Sequence, residues 1–175
     1  DKIVYLSGIN GEALYRAAVL PNAMTTYTYL EDGSNLGIAL TTQFASAPPL
    51  GTLVREYNGV MYVVTGDTVY HSDPYNFDTF RFDNQWLRFP GQVVMFEAVN
   101  DGIYVGTSQA VSFLPGDRPD KFVPVDIFDY GVIDGTAVRT EAAFFDTQAQ
   151  GEDAGEQPRP AVAWACKQGV CVGRG

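Results

Sequence analysis

NGVMYVVTGDTVYH, residues Asn58 to His71, returns in altered form as NDGIYVGTSQAVSF, Asn100 to Phe113. Asn58 falls on Asn100, Tyr62 on Tyr104 and Val69 on Val111, a shared offset of 42 (104 − 62). Each copy alternates apolar and polar residues between Gly-containing turns, the pattern of half-buried strands joined by hairpins. With the preceding apolar runs Leu53–Val54 and Val94–Phe96, each copy supplies three or four short strands. A four-stranded unit of roughly 40–50 residues is the size of a propeller blade, and a blade has an apolar face it cannot bury alone. The repetition is therefore read as architectural.

A third start is read at Gln168 to Gly173, QGVCVG, against Asp101 to Gly106, DGIYVG, at an offset of 67 (169 − 102). The surplus of 25 over the first period is assigned to the stretch from Phe145 to Pro160, whose acidic, aromatic-free part near 146–157 reads as an exposed loop. The expected fold is all-β, with residues 48–175 forming about two and a fraction propeller-type blades and residues 1–47 a separate β element. Within that element, KIVYLSGINGEALYRAAVLPNAMTTYTYLED gives two or three strands; EALYRAAVL, Glu12 to Leu20, is read as strand rather than helix. The chain opens on Asp1 and stops in mid-pattern at GVCVGRG, and is read as a segment of something longer. The rest of the ring would then come from further sequence or from another chain.

Composition narrows function. A hydrophobic content of 46% with 18% charged residues is the profile of a chain that folds, and no apolar run approaches the roughly 18 residues of a membrane span. Net charge is −10, and the 11 Lys and Arg are scattered, which argues against holding nucleic acid through its phosphates. The single histidine, His71, adjoins Ser72 and Asp73, but consecutive strand residues alternate in direction and do not converge as a triad. The run reads instead as a strand end and turn.

No metal or cofactor is expected. Cys166, Cys171 and His71 lack zinc spacing, and Asp117, Asp120, Asp126, Asp129 and Asp134 lack the calcium-loop pattern, so these carboxylates read as solvated turn residues. GTAVR, Gly135 to Arg139, is not a phosphate loop. With 21 acidic residues, a glycosidase-like carboxylate pair is easily nominated and none is singled out. In WACKQGVCVG, a Gln168-Gly169 turn would set Cys166 opposite Cys171, so a cross-strand disulfide competes with two reduced cysteines packed as small hydrophobes. YNFDTFRF nominates Tyr75, Phe77, Phe80 and Phe82 as interface residues, or as filling between blades.

The first stretch, KIVYLSGINGEALYRAAVLPNAMTTYTYLEDG, resembles the middle strands of fibronectin type III-like domains, with Tyr29 where those carry Asp. The Pro-Pro connector Ala47 to Leu50, the repeat ending YHSDPYNF, FDYGVIDGTAVRTEA (Phe128 to Ala142) and VAWACKQGVCVG (Val162 to Gly173) resemble a family of tailed-bacteriophage virion proteins. That resemblance implies a non-enzymatic part of a phage tail or head-to-tail junction, assembled in the bacterial cytoplasm. Its implied partners are portal, tail-tube, nozzle or fibre subunits, in a cyclic homo-oligomer without sequence-specific nucleic-acid contacts. The alternative is a receptor- or carbohydrate-binding module of a tail fibre or spike, with a glycoside hydrolase third.

Overall fold

The computed structural model describes residues 1–8, 11–30, 33, 35–141 and 159–175, and the chain divides into two compact units, Asp1–Ala45 and Ser46–Gly175. The first unit is a two-stranded antiparallel hairpin, β1 (Lys2–Ser7) and β2 (Leu14–Leu20), with a bulge between Val4 and Tyr5. An irregular return runs beside β2: Leu40 N–H donates to the Leu14 carbonyl at 2.7 Å, and Gln43 Oε1 accepts from Leu14 N–H at 2.7 Å. The expected third strand at Thr25 to Leu30 is irregular, and EALYRAAVL is strand from Leu14. Among the described residues of this unit none is fully buried, so the hairpin has an apolar face but no covering layer.

The second unit holds three antiparallel sheets. The first contains β3 (Leu53–Tyr57), β4 (Val60–Thr65) and β5 (Thr68–Asp73) in that order; beyond β5, β6 (Asn76–Phe80) and β7 (Trp86–Arg88) share its outer edge. The second contains β8 (Val93–Ala98), β9 (Gly102–Thr107), β10 (Val111–Pro115) and β11 (Val125–Phe128), with a 3-10 turn at Pro119–Lys121 before β11. The third contains β12 (Val138–Glu141), β13 (Pro160–Cys166) and β14 (Gly169–Arg174). The architecture is all-β, and none of the sheets closes on itself.

Register carries the repeat through the first two sheets. Arg55 opposes Tyr62, which opposes His71; 42 residues on, Glu97 opposes Tyr104, which opposes Phe113. Tight turns fix this register. Asn58 (φ 49°) and Gly59 (φ 75°) form a two-residue turn with both residues left-handed, the conformation that Asn-Gly favours and that matches strand twist. On the fourth strand the match loosens: Tyr70 opposes Trp86, whereas Ser112 opposes Asp126 after a bulge at Val111/Ser112.

The third sheet corrects the third start. QGVCVG lies on β14, the third strand of its sheet, whereas DGIYVG lies on β9, the second strand. A tight turn followed by alternation is common to every hairpin, so the sequence match does not say which hairpin is present. Matched by strand order, Val162 on β13 stands where Ile103 stands on β9, and their first-strand partners are Arg139 and Ala98. The third sheet then has 18 more residues than the second between its first two strands (162 − 139 against 103 − 98), not 25. They fall between Glu141 and Pro160, where the expected acidic loop at 146–157 lies outside the described residues.

With strands matched in this way, the same two faces meet at both interfaces. Tyr62, Val64 and Val69 of the first sheet pack with Phe96, Ile103, Val105 and Leu114 of the second. The opposite face of the second sheet, carrying Met95, Tyr104 and Val111, packs with Val162 and Trp164 of the third; the Tyr104 and Trp164 rings lie 5.7 Å apart. Each fully buried apolar side chain contributes ~1.5–3 kcal/mol, so these clusters dominate the stability of the stack. Close approach is built in as well: a Cβ on Gly173 would lie 2.6 Å from the Tyr104 ring, and one on Gly106 would overlap Val132 and Met95.

One ion pair crosses between sheets at repeat-related positions. Arg55 Nε donates to both carboxylate oxygens of Glu97 at 3.0 Å, and Nη2 adds a third contact. The Glu97 side chain is nearly enclosed, the Arg55 side chain is 37% exposed, and the hydrogen bond to Glu97 raises the Arg55 guanidinium above its ordinary value. Removing one partner of a buried pair strands the other charge. Arg55→Ala is expected to lower unfolding free energy by ~3 kcal/mol in denaturant titrations, and Arg55→Met with Glu97→Met to recover most of that loss.

Candidate functional site

Strand alternation separates the residues that look catalytic. His71 lies on the inner face of β5 beside Tyr62, ring centroids 6.2 Å apart, while Ser72 points to the opposite face. The Ser72 hydroxyl accepts from Met61 N–H at 3.0 Å and donates to the Asp73 carbonyl at 3.0 Å. Asp73 takes Gln85 Nε2 at 2.5 Å and faces Arg81 at 3.4 Å. Each side chain is engaged in holding the β5–β6 turn, and the three do not converge.

The acidic residues are distributed rather than clustered. Ser112 donates to Asp126 at 2.8 Å, Asp117 faces Lys121 at 3.4 Å, and among the described residues no group of three or more His, Cys, Asp or Glu is placed to hold a metal. A shallow polar depression of about 230 Å³ lies at the turn ends of the sheets, lined by Glu56, Tyr57, Asn58, Asn100 and Arg139. Its polar atoms are partly spent on the fold: Glu56 Oε1 accepts from Gly59 N–H at 2.7 Å, and the Tyr57 hydroxyl donates to the Gly116 carbonyl at 2.9 Å. No helix among the described residues is long and apolar enough to cross a membrane.

The four nominated aromatics do not share a surface. Phe80 is fully buried, with its backbone paired to Ser46; it lies three positions after Phe77, so strand alternation puts the two on opposite faces. Tyr75 is 82% exposed at φ 58° in the turn before β6, and its ring covers Gly59. Phe77 and Phe82 are partly exposed, and Phe82 meets Tyr70 edge-on at 5.2 Å. Only Tyr75, Phe77 and Phe82 therefore stand as surface contacts, joined by Trp86, which the sequence reading did not nominate.

The cysteine hairpin turns one residue earlier than expected. Lys167-Gln168 is the two-residue turn, Gly169 opposes Cys166, and Cys171 opposes Trp164. The cysteines are diagonal neighbours on one face, both free, with Sγ atoms 3.6 Å apart. Burial raises the Cys171 thiol above its ordinary value.

The larger surface features are the two ends of the stack. On the third sheet, the face turned away from Trp164 carries Val138, Ala163, Ala165, Val170 and Val172, with Val138 59% and Val170 76% exposed. On the first sheet, the face turned away from Tyr62 carries a cross-strand row, Val54, Val63, Tyr70 and Trp86. Val63 is covered by the chain at Gly51, while Val54 and Trp86 are 51% and 45% exposed. Sequence reading expects two and a fraction blades to leave an open face but does not name its residues; the offset of 42 would have located those of the first sheet, since Val54 and Val63 align with the buried Phe96 and Val105.

His71 couples the first interface to pH. Burial lowers its pKa below the ordinary 6.5, with the Ser72 carbonyl, Asp73 and Asp120 opposing. A value lower in the folded than in the unfolded chain means stability is full above pH 6.5, falls as pH drops toward the folded value, and levels off below it. His71→Phe, which installs the residue found at Phe113, is expected to remove that part of the loss. Unfolding free energies measured at neutral pH and near pH 5 should differ less in the variant than in the parent chain.

No family model, curated protein or solved structure matches this chain.

Proposed function

We propose that this chain is a non-enzymatic structural component of a tailed-phage virion, acting in tail or head-to-tail assembly by presenting rigid β surfaces to neighbouring subunits. The observation that carries the reading is the recurrence of one sheet-to-sheet interface: the face of the first sheet that meets the second corresponds to the face of the second that meets the third. Such a stack suits propeller-type blades at residues 48–175, with 1–47 as fibronectin-like strands. Interlocked aromatic and aliphatic layers make the stack, whereas Ser72 bonds to backbone and Asp73 to Gln85 and Arg81. The phage assignment itself rests on the sequence resemblance, since fold alone does not fix function.

The second reading is a receptor- or glycan-binding module, favoured by the exposed aromatics Tyr75, Phe77, Phe82 and Trp86, because such rings stack on sugars. A cryo-electron-microscopy reconstruction of intact particles produced from the genome that encodes the chain tests both. Density for the stacked sheets in cyclic copies on the portal–tail axis is the expected result. Density confined to the distal tip of a fibre moves the reading to receptor binding, and particles lacking the chain overturn both.

A further inference from the structure

The two open ends of the stack are the two halves of its own internal interface. Val170 and Val172 on β14 stand where Val111 and Phe113 stand on β10; Val111 is fully buried beneath the next sheet, and Val170 is 76% exposed. At the other end, Val54 stands where Phe96 stands; Phe96 is 1% exposed beneath the preceding sheet, and Val54 is 51% exposed. Val63, which stands where Val105 stands, is covered by the chain at Gly51, so the open part of this face is the part around Val54 and Trp86. Inside the chain, surfaces of these two kinds meet twice. The third sheet therefore exposes the kind of face that the following sheet covers, and the first exposes the kind that covers it.

We propose that copies of this chain associate head to tail, the open face of β12–β14 in one copy packing on the open face of β3–β7 in the next. The contact is heterologous: each copy uses a different patch at each end, so the assembly closes into a ring or extends as a filament according to the rotation per copy. The third-sheet patch is aliphatic and the first-sheet patch adds Tyr70 and Trp86 to its valines, and the occupant is a second copy because this chain carries the complementary face. The proposal deepens the structural-component reading by naming the partner. The experiment on purified chain is independent of where the protein sits in a particle, so either idea can fail without the other.

The test is analytical ultracentrifugation of the full chain over a wide concentration range, alone and with Val54→Glu or Val170→Glu. Both substitutions are at exposed strand positions, and thermal unfolding close to the parent's confirms that each variant folds. The parent is expected to self-associate, and each variant to weaken this by ~100-fold or more through burial of a carboxylate. Mixing the two variants should restore one contact, from the third sheet of the Val54→Glu chain to the first sheet of the Val170→Glu chain, giving a heterodimer that grows no further. A parent that stays monomeric, self-association that neither variant weakens, or a variant mixture that stays monomeric overturns the proposal.

Discussion

The packing of Tyr62, Val64 and Val69 against Phe96, Ile103 and Val105 sets the arrangement of the larger unit. A sheet of short alternating strands has two faces and, in water, a stable place only when at least one is covered. The second sheet has both faces covered, and side chains on both are essentially inaccessible: Phe96, Ile103 and Val105 on one, Met95 and Val111 on the other. The first and third sheets each have one face covered by a neighbouring sheet and another partly exposed, with Val54, Trp86, Val138 and Val170 open to solvent. Position in the stack, rather than composition, decides which valines are core and which are surface.

Polar groups in this packing follow the same geometry but not the same chemistry. Repeat-related positions carry Arg55 and Glu97, so a symmetric site is filled by opposite charges that neutralise one another. Tyr62 and Tyr104 also occupy related positions. The Tyr104 hydroxyl donates to the Arg174 carbonyl at 3.0 Å, whereas the Tyr62 hydroxyl is buried without a partner among the described residues, and burial raises its pKa. Duplicated strands thus keep their register while their polar partners diverge.

The strands were legible because alternation and Gly turns are local, and the offset of 42 was legible because three anchors share it. What sequence could not supply was orientation about the strand axis. QGVCVG and DGIYVG look alike on a third and a second strand, and only the face buried by Trp164 distinguishes them. A one-residue displacement of the turn likewise moved Cys171 from opposite Cys166 to opposite Trp164, and Phe80, three positions after Phe77, turns inward. An open face followed from an incomplete stack, but its residues were not legible because Val54 and Val170 look like ordinary core valines until their neighbours are known. Of the two or three strands expected in the first unit two form, since the alternating Thr and Tyr of Thr25 to Leu30 lack a partner strand among the described residues.

The surplus in the third sheet enters after Glu141 and leaves before Pro160, and these two residues oppose one another across β12 and β13. Whatever joins them must start and finish at adjacent points on one sheet edge, whatever its length. Closing a longer connection between fixed neighbours costs little, ~0.6 kcal/mol for each doubling. Sequence can be gained or lost at this place with no strand changing register, so the same scaffold tolerates exchange of a whole appended segment.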